Sequence, residues 1–306
     1  MLATLTGFAV VAFAIAVGWF IGRIDLLGEH ARHVLGRLIF FVLSPFLLFS
    51  VLAHADAAML FSSLLPVSAI AAAAVIIAYA LIARLVWKRS IGETVIGALS
   101  SGQVNSNNIG IPLSIYLLGS AAYPAPVILM QLLILTPISL TILDAATSDT
   151  VSVRRTLLRT ASNPIIVGSL LGTLVSVFGI PVPALVMDPI QLIADAAVPV
   201  LLISYGLSLH GQRVLGTRGH RRDVLLASSL KLVAMPLIAW AAAEFLFRLP
   251  AEQVLIVVVL AALPTAQNVF NYSQRYDVAE PLSRDTVFLT TIGCLPVLLL
   301  VMTLLG

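Results

Sequence analysis

Ser100-Ser101-Gly102-Gln103-Val104-Asn105-Ser106-Asn107-Asn108-Ile109-Gly110-Ile111-Pro112-Leu113-Ser114-Ile115-Tyr116-Leu117-Leu118-Gly119 is a polar passage in a chain that is otherwise greasy. Asn105, Asn107 and Asn108 fall close together, Gly110 and Pro112 follow directly, and apolar residues on both sides mark the whole as a membrane-spanning segment. Proline has no N–H and crowds the turn before it, so the helix is expected to open here and release backbone carbonyls and amides. In hydrocarbon such unpaired groups are costly, and a break persists only where it is buried in protein or lines a wet cavity. Leu263-Pro264-Thr265-Ala266-Gln267-Asn268 repeats the same ingredients late in the chain. Two interrupted spans in corresponding halves point to the substrate site of a transporter.

Composition supports a membrane setting. The 306 residues are 60% hydrophobic and 10% charged, with a mean hydropathy of +1.07, well beyond what a soluble core requires. The chain therefore reads as an all-α polytopic membrane protein. Taking about 20 residues per crossing, ten spans fall at roughly 2–22, 33–53, 62–83, 94–118, 124–144, 163–179, 188–209, 224–247, 252–274 and 285–305. Cytoplasmic connections should carry the Lys and Arg. One side receives Arg23, Arg32 and Arg37, then Arg84, Lys88 and Arg89, then Arg154, Arg155 and Arg159, then Arg213, Arg218, Arg221 and Arg222, then Arg275 and Arg284. The other side receives Arg248 alone, and Lys231 alone lies within a span. The alternation implies a multi-pass protein of the cell membrane with both termini extracytoplasmic. Leu2 to Gly22 has no positive residue before it and is long for a signal-peptide core, so it reads as a retained span.

Other classes find little support. Cys294 is the single cysteine, so no internal disulfide forms, and no Cys/His cluster suggests a metal or other cofactor. His30, His33, His54, His210 and His220 are scattered through loops or their edges. No Ser/His/Asp set, HExxH or phosphate loop is present, which argues against an enzyme. The excess of 17 Lys and Arg over 14 Asp and Glu follows from membrane topology and implies no nucleic-acid partner.

The ten spans divide into two sets of five, residues 1–150 and 151–306, joined by the polar linker Ala145 to Ser162. An odd number per half means that, if the halves are repeats, the second enters the membrane in the opposite sense. Ser44-Pro45-Phe46-Leu47-Leu48-Phe49-Ser50 and Val198-Pro199-Val200-Leu201-Leu202-Ile203-Ser204 share Pro, Leu, Leu and Ser, and Asn108 and Asn268 fall at similar depths. Gly18 with Gly22, and Gly168 with Gly172, have the four-residue spacing that lets helices pack closely. Pro66, Pro137, Pro236 and Pro296 read as kinks or helix starts.

Two readings of Asn105, Asn107 and Asn108 stand side by side. A carboxamide offers two donors and an acceptor without fixed charge, so it can hold a carboxylate and release it. The same groups can instead cap the broken helix or bond to neighbouring spans. A half-helix starting near Gly110 and Pro112 would aim its partial positive end at the same place, which favours an anion. At the second break Pro264 frees a carbonyl, while Thr265, Gln267, Asn268 and, nearer the surface, Asn271 supply polar side chains. Asp195 in span 7 is a candidate for coupling to a proton or sodium, or else a headgroup-boundary residue. Lys231 lies a turn or two from the cytoplasmic end of span 8, where its stem can snorkel to the surface, and a structural role is the favoured reading. Asp144 and Glu244 lie near span ends, while Gln131 and Thr136 in span 5 either face a cavity or bond to a neighbouring helix.

These motifs together resemble the auxin efflux carrier family, which includes plant auxin carriers and bacterial malate and malonate permeases. The resemblance runs over essentially the full chain. It rests on Asn105 to Pro112, on Ala262-Leu263-Pro264-Thr265-Ala266-Gln267-Asn268 followed by Arg275-Tyr276, on Phe41 to Phe49, and on Ala196 to Leu202 with Gly206-Leu207-Ser208-Leu209. It implies two inverted five-helix repeats, similar to bile acid symporters and sodium-proton antiporters, with broken helices 4 and 9 crossing at their prolines. It also implies a scaffold of spans 1, 2, 6 and 7, a transport domain of spans 3–5 and 8–10, and a homodimer in the lipid bilayer. Asn105 and Asn268 inherit the substrate role, and Gln131 the cavity wall. Asn107 and Asn108 stand where relatives carry small or apolar residues, which suggests a wetter pocket than an indole site. The function implied is transport of small organic anions, auxin-like aromatic acids or dicarboxylates, by an elevator-type mechanism. A sodium-coupled symporter of the bile acid type and a passive anion channel are the alternatives.

Overall fold

The computed structural model of the chain describes residues 2–28, 30–55, 63–147, 162–210 and 218–306, and every regular element among them is helical. The expected boundary at 150/151, most of the linker with Arg154, Arg155 and Arg159, and Arg213 in a later loop lie outside the described residues. In chain order, α1 is Leu2–Arg23, α2 Ala31–Ala53 and α3 Leu64–Val86. Span 4 becomes α4, Ile91–Gly102, and α5, Ile111–Leu118. Then come α6, Ala125–Thr147, α7, Pro164–Val177, α8, Ala184–Asp195, and α9, Ala197–Leu209. Next is α10, Arg221–Leu246, and span 9 becomes α11, Ala251–Ala262, and α12, Gln267–Tyr276. Helix α13 is Glu280–Leu305.

Among the described residues, 6 helical stretches can cross a membrane by length and composition: α2, α3, α6, Ala184–Leu207, α10 and α13. Shorter apolar helices are Ala12–Arg23, α7 and α11. A polytopic membrane protein follows. Helix starts run earlier than hydropathy indicates where a proline opens the first turn, as Pro281 does for α13.

Prolines also set the internal shape of the spans. Wide, π-type turns occupy Ile39–Leu43, Gln131–Leu135 and Leu230–Ala234, and Pro45, Pro137 and Pro236 each follow two residues on. In each case the residue before the proline donates its N–H five residues back: Ser44 to Ile39, Thr136 to Gln131, Met235 to Leu230. A proline cannot bond to the carbonyl four residues back and its ring crowds that group, so the helix widens by one residue instead of breaking. Pro112 bears the same relation to the wide turn Ser106–Gly110.

The chain forms two compact units. The first comprises Met1–Ser62, Asn107–Leu129 and Leu158–Gln212. Within it α1 packs on α9, and α7 on the second half of α2. Glycine permits both approaches: a Cβ on Gly18 would fall 2.0 Å from Ile203 O, and one on Gly206 would fall 1.9 Å from Ile15 O. Gly168 and Gly172 likewise lie against Pro45 O and Phe49 O. Small residues thus let backbones touch, as the spacing suggested.

The second unit comprises Ser63–Ser106, Met130–Leu157 and Arg213–Gly306. Here α3 packs on α4, α10 on α11, and α13 on α10 and α11. Two stretches are built alike. The wide turn Ile82–Val86 leads past Lys88 at φ 53° into the 12-residue α4, and the wide turn Ala242–Leu246 leads past Arg248 at φ 50° into the 12-residue α11. At the end of α3 the Arg89 guanidinium forks onto Asp223, Nε to Oδ1 at 3.1 Å and Nη2 to Oδ2 at 2.6 Å. The Tyr79 hydroxyl donates to the same carboxylate at 3.1 Å. Asp223 is buried, so this cluster fastens α3 and its loop to α10.

Candidate functional site: two helix breaks in contact

Both polar passages leave the helix. Helix α4 ends at Gly102 with Gln103 extended, and α11 ends at Ala262 with Leu263 and Ala266 extended. The two extended pieces meet as an antiparallel pair, Val104 opposite Thr265. Asn105 N donates to Pro264 O and Ala266 N to Gln103 O, both at 2.9 Å. Each break thus supplies the other with main-chain partners that its own helix has lost, as burial in an apolar unit demands.

Side chains complete the account. Gln131, on the wide turn of α6, accepts from Val104 N at 2.6 Å and donates to Ser106 Oγ at 3.3 Å. Thr265 Oγ1 donates to Ser100 O at 2.6 Å, in the last turn of α4, and Thr265 N donates to Thr290 Oγ1 of α13 at 3.1 Å. Lys231 Nζ donates to Ala261 O, in the last turn of α11, at 2.6 Å. The α12 side is held by Thr136 Oγ1 and Tyr272 OH, 3.3 Å apart, and by Tyr276 OH donating to Asp144 Oδ1 at 2.7 Å.

Of the residues singled out in the sequence, Asn105, Gln131, Pro264, Gln267 and Asn268 lie in the second unit. Asn105 and Gln131 are buried, while Gln267 and Asn268 are half-buried in the first turn of α12. Asn271 is exposed. Asn107, Asn108, Gly110 and Pro112 belong to the first unit. There Asn107 Nδ2 donates to Ser44 Oγ at 3.0 Å and to Asn108 Oδ1 at 3.1 Å, and its buried Oδ1 has no hydrogen-bond partner among the described residues. Pro112 is buried at the start of α5. Asp195, also in the first unit, is exposed at the end of α8 and accepts from Gln191 Nε2 at 2.6 Å.

Lys231 corrects an expectation. It does not snorkel, because its side chain is wholly buried and turned onto a carbonyl of α11. The bonding roles of Ser106, Thr265 and Thr290 depend on which chains meet at the breaks, and sequence spacing carries no signal for that.

Neither break contains a charged residue from Ser100 to Gly110 or from Ala262 to Asn271. The local chemistry is therefore amide, hydroxyl and main chain. A polytopic helical membrane protein whose two polar helix breaks pair with each other has the build of a membrane transporter. The sequence model of the membrane transport protein family matches residues 4–302, so the chain belongs to this family, the auxin efflux carriers. No curated protein matches the chain.

Proposed function

We propose that the protein is a secondary transporter of small organic anions, in the range from malonate and malate to aromatic acids such as indole-3-acetate. The observation that carries this reading is the main-chain pairing of the two breaks, Asn105 N to Pro264 O and Ala266 N to Gln103 O. It fixes uncharged amides beside the start of α12, where unpaired N–H groups and the helix dipole favour negative charge. A neutral seat of this kind binds a carboxylate through hydrogen bonds and releases it at little electrostatic cost. Asn105 and Asn268 are assigned the substrate contacts. Gln131 holds the first break in shape, and Asn107, Asn108, Gly110 and Pro112 shape the continuation of span 4.

In the same reading the chain has ten spans in two inverted sets of five. The like construction of residues 82–102 and 242–262 supports it. Spans 3–5 and 8–10 move past a dimeric scaffold of spans 1, 2, 6 and 7, in an elevator-type cycle, with both termini outside the cytoplasm. Asp195 is the candidate for ion coupling on the scaffold side. A sodium-coupled symporter is the second reading within transport, since carbonyls at helix ends also suit sodium. A thermal-shift screen of purified protein against malonate, malate and indole-3-acetate, in sodium and in choline buffers, tests both. Stabilisation by at least one carboxylate in either buffer is expected. Stabilisation confined to sodium selects the symporter, and none in any buffer contradicts the anion seat.

A further inference from the structure

Lys231 is a charged residue in the interior of the second unit that the amide seat does not use. It sits on the wide turn Leu230–Ala234 of α10, and its side chain is 0% exposed. Its Nζ donates to Ala261 O at 2.6 Å and lies 3.2 Å from Met235 Sδ. No carboxylate among the described residues forms an ion pair with it. Helices α3, α4, α11 and α13 pack against this turn, and the titratable group that faces the amine from them is the Cys294 thiol of α13.

A buried amine with a carbonyl, a thioether and a thiol around it has unusual electrostatics. The ammonium form gains from the negative end of α11, whose final carbonyls have no helical donor. It also bears the full penalty of a charge withdrawn from water without a counter-charge. Burial and the carbonyl of α11 thus pull the amine in opposite directions, and a nearby charge shifts the preference between its two forms. An anion seated at the break, three residues beyond Ala261 along the chain at Pro264, is such a charge.

We propose that Lys231 is the proton-carrying residue of the transporter: its amine takes one proton from water when an organic anion binds at the paired breaks, and returns that proton to water when the anion leaves. This rests on the organic-anion reading above. The chemistry is a single proton added to and removed from Nζ, with no other bond made. By linkage, an anion that favours the ammonium is itself bound more tightly by the protonated protein. Because the side chain is sealed from solvent here, its proton can exchange only in a conformation that opens the site, which is the condition for moving anion and proton together.

The test is calorimetry of purified full-length protein titrated with malonate, malate and indole-3-acetate. Buffers of different ionisation heat are used, so that proton uptake is counted directly, between about pH 6 and 10. The wild type should take up about one proton per anion bound somewhere in that range. K231R keeps on α10 a cation that does not lose its proton, and should bind with no uptake. K231M should also show no uptake if it folds, whereas C294S should keep the wild-type value. Binding without proton uptake in the wild type, or uptake that survives in K231R, overturns the role of Lys231 and leaves the anion seat standing. Absence of binding by every carboxylate overturns both.

Discussion

Ser90 opens α4 with a reciprocal pair. Its Oγ accepts from Glu93 N at 3.2 Å, and its own N–H donates to Glu93 Oε2 at 3.0 Å. Burial pushes the Glu93 carboxyl up, but the bonds from Ser90 and the charge of Arg89 outweigh it and hold the group below its ordinary 4.5. A depressed carboxyl stabilises the fold fully above its unfolded value, and that contribution is lost as pH falls through the folded one. Ser90→Ala should therefore lower stability by about 1 kcal/mol at neutral pH, read as a lower thermal midpoint in detergent, and the gap should shrink on acidification. An equal gap at acid and neutral pH would count against the pair. Much else at this scale was legible in the sequence. Asn105 and Asn268 declared themselves as polar residues, and Pro264 as a helix breaker, in apolar surroundings. Lys231 did not, because a lysine near a span end reads as a snorkelling side chain until the fold shows which way it turns.

At the scale of elements, hydropathy found the long spans but not their interiors. Proline at 45, 112, 137 and 236 signalled a disturbance, and the structure gives its form as a widened turn two residues earlier. Gly18, Gly168 and Gly172 announced tight packing, although their partner helices were not readable, since spacing on one helix says nothing about the backbone opposite. The clamp joining α3 to α10 was missed for a similar reason. Arg89 appeared as one of several cytoplasmic arginines, and its pairing with Asp223 spans a sequence separation of 134. Removing the guanidinium leaves a buried carboxylate with Tyr79 as its one side-chain donor among the described residues, so Arg89→Met should cost about 3–5 kcal/mol. The thermal midpoint of the purified variant checks this, and a midpoint equal to wild type would show that the pair contributes nothing.

For the whole molecule, the positive-inside pattern and the two polar passages of the sequence point to a membrane transporter, and the family match over residues 4–302 agrees. By length and composition 6 crossings register among the described helices, fewer than the ten spans proposed. A broken span offers two short helices, such as the 12-residue α4 and the 8-residue α5, neither long enough to register as a crossing. The contact between the two breaks, where Val104 stands opposite Thr265, 161 residues further along the chain, is likewise a product of folding. The central claim is that these paired amides seat the transported anion. Its most direct test is flux of radiolabelled malonate, malate and indole-3-acetate in proteoliposomes, comparing wild type with Asn105→Ala and Asn268→Ala at matched incorporation and thermal stability. The account predicts saturable flux of at least one carboxylate in the wild type and loss of more than about tenfold in each variant. Flux unchanged in both variants would contradict it.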